Sequence, residues 1–230
     1  MKKHYSWLWF DADGTLFDFH KAEALALKQA FLASVNAPYQ DSYLDLYRHI
    51  NQQLWDALEH HEITPAVLQT RRFELLLEAV QITASADQFG AAYMEHLADC
   101  SELIDGAFDL LHQLQADYRI GIVTNGLQAV QQRRLAQSPI RDTISAVIIS
   151  EEVGAAKPKA EFFDAAFARS GNPAKSEVLI IGDSLSADMQ GGIDYGIDTC
   201  WFNPGGAPRP DHLAITYEIA HLRDLLAQIE

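Results

Sequence analysis

WLWFDADGT, residues 7–15, is the stretch that decides the fold. Its first four residues, Trp7–Phe10, form a continuous apolar run, which is typical of a short strand buried on both faces of a parallel sheet. The polar segment Asp-Ala-Asp-Gly-Thr follows at once and ends the strand. Asp11 is therefore expected at the carboxyl end of the first strand.

Similar short apolar runs recur four times further along the chain, separated by amphipathic stretches of helical length. These runs are Ile120–Val123, Ala146–Ile149, Val178–Ile181 and Ile197–Phe202. Strands that alternate with helices indicate βα repetition and hence a doubly wound parallel sheet. A last helix is predicted from about Glu218 to Ile229, after a loop rich in proline and glycine.

The segment between the first two strands is too long for a single crossover helix. Apolar residues recur at helical spacing from Ala24 to Val35 and again from Tyr43 to Leu58, which predicts two helices. Thr64-Pro65 and Ser85 are typical N-terminal positions of two more. The sequence thus predicts a helical-bundle cap domain at residues 17–99, inserted into an α/β core domain of residues 1–16 and 100–230. The cap is expected over the sheet end where Asp11 lies.

Composition excludes several classes of function. The formal net charge is −15 and no basic run offsets it, so binding of a nucleic-acid polymer would lack its main electrostatic contribution. The longest apolar runs fall well short of a membrane span, and no signal peptide is recognisable, so we expect a cytoplasmic protein without a membrane partner. Cys100 and Cys200 form no Cys-x-x-Cys unit, which argues against a disulfide framework or a zinc site. An anionic small substrate would need a locally positive pocket.

Polar residues that can carry chemistry follow the predicted strands. Ligands of doubly wound sheets gather at the carboxyl ends of the strands, so these residues are expected at one edge. The candidates are Asp11 and Asp13 after the first strand, Thr124, Asn125 and Gly126 after the second, Lys157 in a later loop, and Asp183 and Asp188 after the fourth. Each cluster alone could be an ordinary turn, cap or surface residue, but their joint placement favours a site.

These four clusters, in this order and with the insertion directly after the first, resemble the haloacid dehalogenase superfamily of phosphatases. The resemblance implies a Rossmann-like core and a phosphomonoesterase that forms an aspartyl-phosphate on Asp11. A carboxylate nucleophile divides a very slow hydrolysis into two easier displacements. Asp13 is expected to protonate the leaving alkoxide and later to activate water. In this family the second aspartate is typical of phosphoryl transfer, whereas dehalogenases lack it.

The same resemblance implies a Mg²⁺ cofactor and a set of phosphate contacts. The expected metal ligands are the Asp11 side chain, the Asp13 backbone carbonyl, Asp183, and Asp188 either directly or through water. The Thr124 hydroxyl and the backbone amides of Asn125 and Gly126 are expected to hold phosphate oxygens, with Lys157 as the fixed positive charge beside Asp11. The Asp11 carboxylate and the substrate phosphate are both anionic, and a hard dication with oxygen ligands would reduce the repulsion between them.

A narrower resemblance concerns the substrate. Residues 149–158, ISEEVGAAKP, together with 191–196 and 199–203, are similar to bacterial pyrimidine 5'-nucleotidases acting on deoxyuridine and thymidine monophosphates. The expected partner is therefore a nucleoside 5'-monophosphate. A phosphatase or mutase for a small sugar phosphate or phosphoglycolate stays open, and so does a catalytically silent binding module, although no acidic motif residue is missing. Phe17 and Phe19 are candidates for lining the substrate chamber, with core packing the better-supported role.

Overall fold

A computed structural model of the chain describes residues 4–35, 37–59 and 62–229. The chain divides into two compact units. The first contains Met1–Phe19 and Ser101–Glu230, and the second is His20–Cys100. The sequence prediction had placed the corresponding boundaries after residues 16 and 99.

The first unit is built on a six-stranded parallel sheet with the strand order β3-β2-β1-β4-β5-β6. Its strands are β1 (Trp7–Phe10), β2 (Arg119–Thr124), β3 (Ala146–Ile149), β4 (Val178–Gly182), β5 (Asp198–Phe202) and β6 (Tyr217–Ile219). Phe10 pairs with Ile122 on one side and with Ile181 on the other. The chain runs outward in opposite directions from β1 and β4, so the topological switch point lies between these two strands. This arrangement confirms the predicted doubly wound, Rossmann-like core.

Alternating side chains of β1 enter two different cores, which explains the continuous apolar run. Leu8 and Phe10 are buried in a cluster with Leu110 of the helix Ala107–Leu114. Trp7 and Trp9 are buried on the opposite face of the sheet, in a cluster with Phe163. A strand covered on both faces cannot show polar alternation.

Helices and short turns connect the strands. After the four helices of the second unit come α5 (Ala107–Leu114), α6 (Gln128–Gln137), α7 (Ser150–Val153), α8 (Ala160–Arg169), α9 (Gly191–Tyr195) and α10 (Leu225–Ile229). A π-helical turn at Leu185–Gln190 and short 3-10 turns at Arg141–Thr143, Lys175–Glu177 and Leu222–Asp224 complete the unit. Among the described residues, none of the helices combines the length and apolar character needed to cross a bilayer.

The second unit contains the helices α1 (Phe19–Ser34), α2 (Ser42–Glu59), α3 (Pro65–Ala79) and α4 (Ala86–Asp99). The Thr64 and Ser85 side chains cap α3 and α4 by accepting bonds from the amides of Val67 and Gln88, as predicted. Aromatic rings fill the centre of this unit: Tyr47 stacks on Phe73 at 5.8 Å. The predicted first stripe ended at Val35, but α1 ends at Ser34.

The C-terminal prediction was wrong in part. A helix was expected from about Glu218, whereas Tyr217–Ile219 is a sixth strand and α10 begins only at Leu225. Tyr217 pairs with Cys200 and Ile219 pairs with Phe202 at the edge of the sheet. Three residues give too short a pattern to reveal a strand, and the partner strand decides their conformation.

Candidate active site

The candidate site lies at the carboxyl edge of the sheet, at the switch point. Asp11 follows β1, Thr124 ends β2 and Asp183 follows β4. The Asp11 amide still donates to the carbonyl of Ile181 at 2.8 Å, so the first motif leaves the sheet directly beside β4. Parallel pairing therefore brings together residues that are far apart in sequence.

Lys157 is the central cation of the site. Its Nζ donates to Asp11 Oδ1 at 2.7 Å, to Asp188 Oδ1 at 2.6 Å and to the carbonyl of Val123 at 2.7 Å. The Lys157 and Asp188 side chains are each 1% exposed. All three ammonium donors have partners, which is what a buried lysine requires.

Asn125 holds the backbone of this lysine. Its Nδ2 donates to the Lys157 carbonyl at 2.9 Å, and the Lys157 amide donates to Asn125 Oδ1 at 2.8 Å. The sequence prediction had considered only the backbone amide of Asn125, as a phosphate donor. A reciprocal side-chain contact across 32 positions of the chain has no local sequence signal.

Electrostatics favour a charged lysine among carboxyl groups. Burial alone lowers the pKa of Lys157, but the Asp11 and Asp188 carboxylates outweigh it and raise that pKa. Burial raises the pKa of Asp11 well above its ordinary value, against the opposing effect of Lys157. The protein atoms packed around Asp183, and then the Asp188 carboxylate, raise the pKa of Asp183 to about 6, although solvent still reaches this side chain.

Asp11, Asp183 and Asp188 form one acidic group, in which one carboxylate oxygen from each residue lies within 4.8 Å of the other two. Thr15 donates to Asp183 Oδ1 at 3.2 Å, and the Ser184 amide donates to Asp188 Oδ2 at 3.1 Å. When ionised, three carboxylates face one ammonium group, which leaves two negative charges.

Two glycines leave the space that the carboxylates of Asp183 and Asp188 occupy. Gly14 has a φ of +85°, and a Cβ there would lie 2.5 Å from Asp183 Oδ2. At Gly182 a Cβ would overlap the carboxylate of Asp188. Any other residue at either position would displace a member of the acidic group.

Asp13 lies outside this group, in contact with helix α6. Its Oδ2 accepts a hydrogen bond from Gln131 Nε2 at 2.5 Å, and its Oδ1 forms an ion pair with Arg134 Nη1. Arg134 also lies over the ring of Phe17, 4.5 Å from the ring centroid. Phe17 is 1% exposed and packs in the core cluster, as its better-supported role predicted.

Sequence reasoning missed Gln131 and Arg134. The helix reads QAVQQRRLAQ, and two adjacent glutamines and two adjacent arginines give no indication of which member faces inward. The one available signal was their i, i+3 spacing, which places them on the same helix face.

The predicted phosphate-binding residues lie at the end of β2. Thr124 is buried, and its Oγ1 accepts a hydrogen bond from the Gly126 amide at 3.1 Å. A Cβ at Gly126 would overlap the Gln131 side chain. The structure therefore brings Thr124, Asn125 and Gly126 to the same strand end, and their contacts with phosphate remain a prediction.

Fold and site together define a hydrolase of a known family. The family model described as haloacid dehalogenase-like hydrolase matches residues 8–202, so the chain belongs to that family. The family motifs and the named relatives agree that it is a phosphatase.

Three relatives make the comparison more specific. The magnesium-bound crystal structure of the HAD-hydrolase YfnB from Bacillus subtilis is similar with a TM-score of 0.95 and 38% identity, covering 99% of this chain and 100% of that one. Pyrimidine 5'-nucleotidase YjjG of Escherichia coli is 34% identical over 96% of each chain. Pyrimidine 5'-nucleotidase PynA of Streptococcus pneumoniae is 37% identical over 96% of this chain and 94% of its own.

Proposed function

We propose that this protein is a Mg²⁺-dependent phosphomonoesterase that hydrolyses pyrimidine nucleoside 5'-monophosphates through an aspartyl-phosphate on Asp11. One observation carries the proposal: a buried lysine joins Asp11 to Asp188 at the switch point of the sheet. A nucleophilic carboxylate must approach an anionic phosphate, and a fixed positive charge at this position reduces their repulsion.

Asp11 attacks phosphorus in the first half-reaction. A bond forms between an Asp11 oxygen and phosphorus, the bond from phosphorus to the 5'-oxygen breaks, and Asp13 transfers its proton to that oxygen. The products are the nucleoside and phosphorylated Asp11. The Asp13 side chain is 26% exposed, so its carboxyl group, which carries the proton taken from water in the preceding turnover, can reach a leaving group from the edge of the loop.

Asp13 acts as the base in the second half-reaction. Water attacks phosphorus, Asp13 takes its proton, and the bond from Asp11 to phosphorus breaks to release inorganic phosphate. Lys157 keeps its positive charge in both half-reactions, because the Asp188 carboxylate stabilises it throughout and the Asp11 carboxylate stabilises it before phosphorylation. The Thr124 hydroxyl and the strand-end amides are proposed to hold the phosphate oxygens that do not react.

The residues present fit the implied Mg²⁺. Asp11, Asp183 and Asp188 offer clustered hard oxygen donors, with two negative charges in excess of Lys157. We propose Asp11, the Asp13 carbonyl and Asp183 as ligands, with Asp188 binding directly or through water. When bound, the dication supplies charge neutralisation for the phosphoryl group.

The substrate class rests on the relatives, since two of them, 34% and 37% identical, are named pyrimidine 5'-nucleotidases. The catalytic residues of the core act on the phosphoryl group whatever the leaving group is. Discrimination between substrates therefore has to come from contacts with the leaving group that strengthen toward the transition state. We propose that the helical unit His20–Cys100 serves as the cap domain and supplies this discrimination.

Phosphate release from matched substrates tests the assignment. We expect deoxyuridine and thymidine 5'-monophosphates to give the highest kcat/KM in a panel that also contains UMP, AMP, glucose 6-phosphate and phosphoglycolate. If a sugar phosphate or phosphoglycolate exceeds them by about tenfold, equivalent to about 1.4 kcal/mol of transition-state stabilisation, the nucleotidase assignment is wrong.

A further inference from the structure

Both oxygens of the Asp13 carboxylate are held by one face of helix α6. Gln131 Nε2 donates to Oδ2 and Arg134 Nη1 to Oδ1. The two donors are buried, with exposed fractions of 4% for Gln131 and 0% for Arg134, whereas 26% of the Asp13 side chain is accessible. The carboxylate is thus fixed from inside and open on its outer side.

The surrounding loop is shaped to hold this contact. Phe17 pairs with Asp13 in a short parallel bridge, and its ring lies against the guanidinium of Arg134. The same loop therefore supplies both Asp13 and the aromatic ring against which Arg134 packs. On the other side, the missing side chain of Gly126 leaves the space that Gln131 occupies.

Stability alone is a weak reason for this arrangement. Burying a guanidinium is costly, and a buried ion pair is often no more stable than an apolar replacement. A planar guanidinium and a side-chain amide do, however, restrict the rotation of a carboxylate well, because each holds a different oxygen.

We propose that Gln131 and Arg134 are positioning residues for Asp13, which keep its carboxyl group in the orientation that delivers a proton to the leaving oxygen. This inference rests on the proposed acid/base role of Asp13. Neither residue transfers the proton itself, since a guanidinium and a side-chain amide act here only as hydrogen-bond donors. Their effect must therefore appear only in steps where Asp13 protonates or deprotonates something.

Leaving groups of different basicity separate positioning from a structural effect. The value of kcat/KM reports the steps up to the first irreversible one, which here is phosphorylation of Asp11. A nucleoside 5'-alkoxide needs a proton from Asp13, whereas p-nitrophenolate leaves readily without one. A misplaced acid should thus slow the nucleotide and spare p-nitrophenyl phosphate.

Gln131→Leu is the first variant to measure. We expect kcat/KM for deoxyuridine 5'-monophosphate to fall about tenfold, since small misplacements of a catalytic group cost up to about 10²-fold, and kcat/KM for p-nitrophenyl phosphate to change less than about twofold. Gln132→Leu is the matched control, because Gln132 is exposed and donates to Glu152. It should leave both substrates unchanged.

Arg134 gives a second, independent variant pair. Arg134→Gln should show the same selective loss, and Arg134→Lys should recover part of the nucleotide activity because it retains a positive donor. If the Arg134 variants do not fold, the Gln131→Leu measurements alone test the positioning role.

Combination with Asp13→Asn completes the test. When Asp13 can no longer transfer a proton, adding Gln131→Leu should cause no further loss with the nucleotide. Equal losses for both substrates, no loss for either, or a full additional loss in the Asp13→Asn background would each overturn the positioning role. Full nucleotide activity of Asp13→Asn itself would instead overturn the proposed role of Asp13.

Discussion

Removing the Lys157 ammonium should destabilise the metal-free protein more than any single surface change. Lys157→Met keeps the length of the side chain but leaves Asp11 and Asp188 without the donor that now lies 2.7 and 2.6 Å away. Breaking a buried ion pair by deleting one partner typically costs about 3–5 kcal/mol. For a chain of this size each kcal/mol lowers Tm by about 2–4 °C, so a fall of about 6–20 °C is expected.

The loss of stability caused by Lys157→Met should grow with pH. Burial raises the folded-state pKa of Asp11, and loss of Lys157 removes the main opposing effect. An acid whose pKa is higher in the folded than in the unfolded chain binds its proton preferentially in the folded state. Stability is therefore lost as pH rises above the unfolded value of about 3.9. The Tm of the variant should therefore differ less from that of the wild type at pH 5 than at pH 8.

The assay is thermal unfolding of both proteins in EDTA at these two pH values, with Lys159→Met as the control. Lys159 is exposed and lies two residues away, so its replacement should change stability by no more than about 0.5 kcal/mol. A loss below about 1 kcal/mol for Lys157→Met at pH 8 would refute the view that this lysine compensates buried carboxylates.

Three further predictions concern the reaction. Asp11→Asn should abolish turnover, because the amide is nearly isosteric but not nucleophilic, and it should leave the thermal melt close to wild type, because Lys157 keeps Asp188 as its ion-pair partner and the amide oxygen can still accept its hydrogen bond; appreciable turnover of the pure variant excludes Asp11 as the nucleophile. Asp13→Asn should lower kcat/KM on alkyl phosphates by about 10²- to 10⁴-fold, and unchanged steady-state rates would contradict its role. EDTA should eliminate phosphate release and Mg²⁺ restore it, with Ca²⁺ a poor substitute because of its looser coordination; full activity without metal would refute the metal requirement.

The parts of the fold that were predictable are those with strong local patterns. Trp7–Phe10 and Ala146–Ile149 were placed with their observed bounds, because fully buried strands carry continuous apolar runs. Strand-end placement also predicted that Asp11 and Asp183 would lie together, but it gave no indication that the Asp13 side chain would contact helix α6. The strand Tyr217–Ile219 was missed because only its neighbour in the sheet defines it.

The contacts around Asp13 and Lys157 were not predictable for a similar reason. Arg134 lies 121 positions from Asp13, and Asn125 lies 32 positions from Lys157. A polar residue in a mid-chain helix is usually solvated, so its sequence context favours the surface. Only the packing of α6 against the first motif turns one of two adjacent arginines inward.

Direct detection of a phosphorylated Asp11 tests the central claim most sharply. Asp13→Asn should still accept phosphate from p-nitrophenyl phosphate, whose leaving group needs no proton, but it should release phosphate slowly because the base is missing. After acid quenching, mass spectrometry should find the mass of one phosphoryl group on the chain, and borohydride reduction followed by peptide mapping should assign it to Asp11. A burst of p-nitrophenolate with no phosphoryl group on Asp11, or with the group on another residue, would contradict the account.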